Sequence, residues 1–317
     1  RKKLLQENIE AILKQTYGKF DYFICDNASI DGTRELVEAC MENDGRIHYD
    51  HTGANLGGAG GFSYGLKKIV KKGYQYCWMM DDDAVPEPDA LERLVKAAEL
   101  LGKDDFSFLA STVLWTDGSP CKMNQYTIQT NVYDHLRATQ NGLLPIERCS
   151  FVGCFVNLDC TRKVGLPIKE FFIYGDDTEY TLRLSQCKNA YMCSGSVIIH
   201  KMSVNVRIGV AEALAERIPR YEYEYRNKIY IYRNHNRFPW IKILFRYGKE
   251  CAKVLIRSKD NKGKRIGVII KGFFKCPKFI VNYCLFVCLY FILYGLTNRT
   301  KFSCLTILTF DFLFGLI

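Results

Sequence analysis

The sequence has no Cys-x-x-Cys pair and no regular cysteine framework, although 14 cysteines are scattered along its 317 residues. Its length and 48% hydrophobic content allow a core that needs no disulfide staples, so the cysteines read as free thiols in a reducing, cytosolic setting. No pair of Cys or His has structural zinc spacing, and Cys284 and Cys288 sit in an apolar run as small hydrophobes. A secretory leader is not expected either. Arg1-Lys2-Lys3 passes directly into an amphipathic pattern, which argues against secretion. There is no internal repeat, no low-complexity tract and no recognisable nucleic-acid motif.

What is present is a net charge of +10, unevenly placed. Between Lys242 and Lys278 there are 12 Lys or Arg against Glu250 and Asp260, so this stretch alone carries +10. An apolar run, Phe279 to Leu296, follows directly, and a second, Phe302 to Ile317, contains Asp311. Basic residues beside apolar segments suit an anionic membrane surface, each contributing roughly 1 kcal/mol near the headgroups. Nucleic acid and a merely solvated basic face are the competing readings. The two apolar runs are expected to lie in the membrane interface, with a transmembrane hairpin or a buried core helix as alternatives.

The first hundred residues alternate strand and helix patterns. A helix over 1–16 precedes a strand ending at Cys25, a helix over 34–42, a strand at 47–50, a glycine-rich loop at 55–61, a helix over 62–72 and a strand over 74–80. This alternation predicts an α/β fold with a mainly parallel sheet, whose ligands gather beyond the carboxyl ends of its strands. Asp26, Asn55 and Asp81-Asp82-Asp83 each follow a predicted strand end.

In an extended strand end Asp81 and Asp83 share a side and Asp82 points away, an arrangement that suits Mg²⁺ or Mn²⁺. The alternative is a solvated acidic turn capping the next helix. Gly57-Gly58-Ala59-Gly60-Gly61 brings backbone N–H groups near an anion, or serves tight helix packing; it lacks the Lys and Ser/Thr of a P-loop. Asp176 and Asp177, after the aromatic run Phe171-Phe172-Ile173-Tyr174, have the setting of a general base with a raised pKa, and helix capping explains one of the two. His200, ending the last strand, is a candidate third metal ligand or a structural histidine.

Taken in order, Phe23 to Thr33, Asn55 to Phe62, Met80 to Ala84 and Phe172 to Tyr180 resemble glycosyltransferase family 2, which has the GT-A fold. The Asn-Leu-Gly-Gly-Ala-Gly-Gly-Phe form followed by Asp-Asp-Asp-Ala is most similar to bacterial galactofuranosyltransferases and rhamnosyltransferases. The resemblance, which covers roughly residues 1–235, implies a Rossmann-like GT-A domain with a nucleotide-sugar half at 1–110 and an acceptor and catalytic half at 111–235; the basic, apolar helical region at 236–317 is expected from its charge and apolar runs to associate with membrane. It also implies that Asp26, Asn27, Asn55, Gly57, Gly58 and Asp82 border a UDP- or dTDP-sugar and that Asp81, Asp83 and His200 hold the ion. Asp177 is implied as the base, with Asp176 as its fallback. The implied reaction is a single displacement with inversion; a glycan or polyprenyl-linked acceptor at the cytoplasmic face of the plasma membrane is expected from the basic and apolar C-terminal region. Family members open with a strand and a Thr-, Asn- and Arg-rich loop; this sequence starts after both, so a fragment truncated at its start is expected. A metal-dependent nucleotidyltransferase or hydrolase, and a non-catalytic membrane scaffold, are the other readings.

Overall fold

The computed structural model describes residues 1–129 and 135–275. Helix α1 (Lys2–Leu13) buries Leu5, Ile9 and Ile12 at helical spacing. Strand β1 (Tyr22–Asp26), helix α2 (Thr33–Asn43) and strand β2 (Ile47–His51) follow, and β1 pairs parallel with β2. Helix α3 (Gly57–Lys71) leads to β3 (Tyr76–Met79), the short β4 (Ala84–Pro86) and α4 (Ala90–Leu101). Leu91, Leu94, Ala98 and Leu101 form the buried face of α4.

The second half contributes β5 (Phe108–Leu114), β6 (Thr127–Ile128), α5 (Leu136–Gln140), β7 (Leu143–Arg148), β8 (Cys154–Asn157), α6 (Leu158–Val164), α7 (Asp176–Cys187) and β9 (Ala190–His200). Six strands run in the order β3-β8-β5-β9-β7-β6, and β4 joins the edge of β9. The α/β architecture is as expected, but the sheet is mixed. Only β1–β2 and β5–β9 are parallel among the described pairings. Strands β4, β7 and β8 run against β3, β5 and β9, which breaks the parallel pattern.

Strands β1 and β3 each have one strand partner among the described residues. Both line a single cleft of about 1810 Å³ between the two sheets. The main core buries Phe108, Val156, Leu158, Tyr180 and Leu184 together, and its members Leu66, Ile69 and Met79 reach the cleft.

Three helices close the described chain: α8 (Tyr221–His235), α9 (Pro239–Arg257) and α10 (Lys262–Phe274). Residues 1–275 pack as one compact unit, so α9 and α10 belong to the body of the domain. The sequence boundary at 235/236 falls at the end of α8, whose Tyr225 packs edge-on against Tyr247 of α9. Among the described residues no helix is long and apolar enough to cross a membrane. The runs 279–296 and 302–317 lie outside the described residues.

Candidate active site

The acidic triplet sits where β3 ends and β4 begins. Ala84 pairs with His200 in the antiparallel register of β4 on β9, and the Lys201 N–H donates to the Asp83 carbonyl at 2.9 Å. This register brings together side chains more than a hundred residues apart in sequence. Asp81, Asp83 and His200 each offer a ligand atom, and these atoms lie within 4.8 Å of one another. Asp82 is outside this group and meets the Arg1 guanidinium instead, with Nε donating to Oδ2 at 2.8 Å.

The imidazole is held in one tautomer. Asn124 uses its amide N–H to donate to Ser150 Oγ at 2.7 Å, which leaves Asn124 Oδ1 to accept from His200 Nδ1 at 2.8 Å. With Nδ1 donating, neutral His200 presents the Nε2 lone pair to Asp83 Oδ1, 3.1 Å away. Two acceptors at that distance require a proton or a cation between them. Burial pushes Asp81 up to about 6, helped by the charges of Asp83 and Asp82. Burial also works to raise Asp83, but a protonated His200, through its hydrogen bond and charge, and the charge of Arg1 outweigh it and hold Asp83 below its usual range. One nitrogen and two carboxylates, with Asp83 and His200 buried and Asp81 half-buried, fit a hard divalent cation. Arg1 stands in for part of that charge. As an exposed ion pair it is worth about 0–1 kcal/mol, so a cation would displace it readily.

A second cluster forms around Asn27. Its Oδ1 accepts from the Leu56 N–H at 2.8 Å, and its amide donates to the Gly57 carbonyl at 3.1 Å. Asn55 Oδ1 accepts from the Gly57 N–H at 2.9 Å. Asp26 is buried, accepting from Tyr49 Oη at 2.6 Å and from the Ser29 N–H at 2.9 Å. Asp26, Asn27, Asn55, Gly58, Asp81 and Asp82 all line the cleft. Gly57, Asp83, Asp176, Asp177 and His200 do not.

The glycine segment is helix rather than loop, because α3 begins at Gly57 instead of residue 62. Gly57 has φ of 70°, and a Cβ there would meet the Phe172 carbonyl oxygen at 2.2 Å. The Ala59 N–H donates to the same oxygen at 3.2 Å. Close packing therefore accounts for Gly57.

That contact ties α3 to the turn before α7. Phe172 and Tyr174 both have positive φ, 62° and 68°, a strained conformation for bulky residues. Asn227 of α8 holds the turn: its buried amide nitrogen lies 3.0, 3.0 and 2.8 Å from the carbonyls of Phe171, Ile173 and Tyr174. Phe172 stacks on Tyr223, and Tyr174 on Tyr221. Gly175 then takes a left-handed φ of 83° and opens α7 at Asp176. No side chain caps this helix from Gly175, and Asp177 Oδ1 accepts the Thr178 N–H at 2.6 Å.

Burial and the Asp177 charge push Asp176 up to about 7, with a further contribution from the charge of Asp81. Asp177 is raised as well, by burial, against the Thr178 hydrogen bond and the charges of Arg148 and Arg207. Glu179, the third acid of the run, is already paired with Arg183 at 2.7 Å and is held below its usual range despite its burial. Asn124, Ser150 and Asn227 carry no sequence signal. They are single polar residues whose value comes only from what the fold places beside them.

The sheet, the Asp-x-Asp at the β3 edge and the histidine of β9 define a GT-A architecture. Residues 1–151 match the model of Glycosyl transferase family 2, and this segment is a family 2 glycosyltransferase domain. Galactofuranosyltransferase GlfT1 of Mycolicibacterium smegmatis is 25% identical over 189 residues, covering 58% of this chain and 62% of that protein. The putative teichuronic acid biosynthesis glycosyltransferase TuaG of Bacillus subtilis is 26% identical over 145 residues, covering 45% of this chain and 55% of that protein. The chain thus spans roughly three fifths or less of the length of these relatives. In fold it is similar to GalNAc-T7, solved with UDP, GalNAc and Mn²⁺ (TM-score 0.52, 13% identity, 77% of this chain and 52% of that one). It is similar in the same way to S. aureus TarS (TM-score 0.52, 12% identity, 84% of this chain and 52% of that one).

Proposed function

We propose that the chain transfers a hexose, galactofuranose ahead of rhamnose, from a UDP- or dTDP-sugar to a hydroxyl of a glycan or polyprenyl-linked acceptor. The reaction inverts the anomeric centre and serves cell-surface polysaccharide synthesis at the cytoplasmic face of the plasma membrane. The observation that carries this reading is the convergence of Asp81, Asp83 and His200, whose ligand atoms lie within 4.8 Å of one another, beside a cleft lined by Asp26, Asn27 and Asn55; His200 Nε2 and Asp83 Oδ1 need a proton or a cation between them. The names of the galactofuranosyltransferase relatives support the choice of sugar.

Asp81, Asp83 and His200 would hold Mn²⁺ or Mg²⁺, with Asn124 fixing the histidine tautomer. When bound, that ion neutralises charge on the departing nucleoside diphosphate. Asp177 takes the proton of the acceptor hydroxyl as its oxygen bonds to the anomeric carbon and the bond to the diphosphate breaks. A carboxylate with a raised pKa is the better base for this step. Asp176 is the fallback for the same role. The Phe172–Tyr223 and Tyr174–Tyr221 stacks brace the turn that carries Asp176 and Asp177.

The test mixes the protein with Mn²⁺, a panel of sugar nucleotides and membrane lipid extract, and follows nucleoside diphosphate release. Release from one donor that requires both Mn²⁺ and extract supports the proposal. Release at full rate without an acceptor points to a hydrolase and overturns it.

A further inference from the structure

We propose that α9 is an in-plane docking helix whose outer face enters the headgroup region of an anionic lipid bilayer. The inference deepens the membrane placement proposed above. It assigns that placement to one helix of the folded domain rather than to the apolar runs of the sequence.

The two faces of α9 differ in a way that burial alone does not require. Ile243, Tyr247, Cys251 and Val254 are buried against the domain. The opposite face carries Ile241, Phe245, Ala252 and Ile256, four or seven residues apart and therefore in one stripe. Ile241 is 69% exposed, Phe245 76% and Ile256 82%, and Phe238 just before the helix is 59% exposed. On an ordinary surface helix these positions would be polar. Exposed Lys242 and Lys249 flank the stripe. From Lys242 to Lys275 the chain has 11 Lys or Arg against Glu250 and Asp260.

Charge and apolarity together select the occupant. A second copy of this face would bring like charges together. A nucleic acid would satisfy the lysines but leave aliphatic Ile241 and Ile256 in water. An anionic bilayer takes both, with the apolar stripe below the headgroups and the lysines among them. Helix α8 packs on α9 and α10 and also supplies Asn227 to the turn before Asp176 and Asp177. Docking through α9 would therefore fix the base-bearing end of the site relative to the lipid surface.

The test uses the full 317-residue chain, so that residues 276–317 are common to every variant. Partition is measured onto phosphatidylcholine vesicles with and without about one third phosphatidylglycerol, at low and high salt. Phe245→Ser/Ile256→Ser should weaken binding to anionic vesicles at least about tenfold. Lys242→Glu/Lys249→Glu should weaken it several-fold at low salt, with little difference left at high salt. A Phe245→Trp reporter should gain emission quenchable by brominated lipid, whereas an Ile30→Trp reporter should not.

Circular dichroism and urea midpoints matching the parent exclude misfolding as the cause. Unchanged partition in both double variants, or an unquenched Phe245→Trp reporter on bound protein, overturns the proposal. A change in solution mass without a change in vesicle binding also overturns it, in favour of a second copy. Transfer to a water-soluble acceptor is read separately and should be unaffected by the docking variants. A parent chain with no transfer activity would sink the proposed reaction and leave the vesicle result standing.

Discussion

His200 Nδ1 lies 2.8 Å from Asn124 Oδ1, and both residues are buried. Asn124 is not a candidate ligand itself, yet it decides which imidazole nitrogen faces Asp81 and Asp83. Replacing it by Ala leaves the imidazole free to turn or to change tautomer. Asn124→Ala should weaken Mn²⁺ binding about 10–100-fold, measured by calorimetric titration, with the fold retained.

The pair Gly57 and Phe172 predicts a stability defect. Gly57→Ala introduces a Cβ 2.2 Å from a backbone oxygen at a φ of 70°, and neither α3 nor the strained turn yields cheaply. A loss of about 2–4 kcal/mol in urea unfolding is expected. Gly58→Ala, where nothing lies within 4 Å, serves as the control and should stay within about 0.5 kcal/mol of the parent.

Asn227→Leu removes the amide that serves three carbonyls of the Phe171–Tyr174 turn. Leaving buried carbonyls unpaired costs about 1–3 kcal/mol. Because this turn positions Asp176 and Asp177, kcat should fall while donor binding, measured by calorimetry, changes little.

Raised carboxylates predict an unusual pH dependence of stability. Asp81 has an ordinary value of 3.8 and a folded value of about 6, so between these the folded state holds a proton that the unfolded state has lost. That stability is fully present below pH 3.8 and is lost as pH rises through about 6; Asp176 acts in the same sense through about 7. Without divalent cation, differential scanning fluorimetry should show Tm falling between pH 5.5 and 8, by about 2–4 °C per kcal/mol lost. Mn²⁺ should raise Tm more at pH 8 than at pH 5.5, because it favours the ionised carboxylates.

Much of this arrangement was legible in the sequence, for identifiable reasons. Tyr76 to Met79 is a short apolar run ending in carboxylates, which reads as a strand delivering polar groups to a sheet edge, and β3 does so, with Met79 buried and the other three residues half-buried. The face of α4 was legible from Leu91, Leu94, Ala98 and Leu101. The start of α3 was not, since glycines are poor helix formers and the contact that requires them is with Phe172, far along the chain. The apolar run from Cys149 reads as one buried strand through Asn157, but β8 is confined to Cys154–Asn157, because Gly153 at φ 78° packs against Ser111 and Ile198 and breaks the extended run before it. The mixed sheet was hidden for a related reason: pairing direction is set by how the later connections run, and no period in the sequence records it. Asn124 and Asn227 belong to the same class, set by tertiary contacts with no periodicity to announce them.

The central claim is that Asp81, Asp83 and His200 bind the ion and Asp82 does not. Its most direct test is electron paramagnetic titration of Mn²⁺ in the presence of UDP, comparing the parent with Asp82→Ala and Asp83→Ala. The account predicts that Asp83→Ala weakens Mn²⁺ binding by about 100-fold or more and that Asp82→Ala stays within a few-fold of the parent. Equal Mn²⁺ affinity in all three proteins, or a larger loss in Asp82→Ala than in Asp83→Ala, would contradict it.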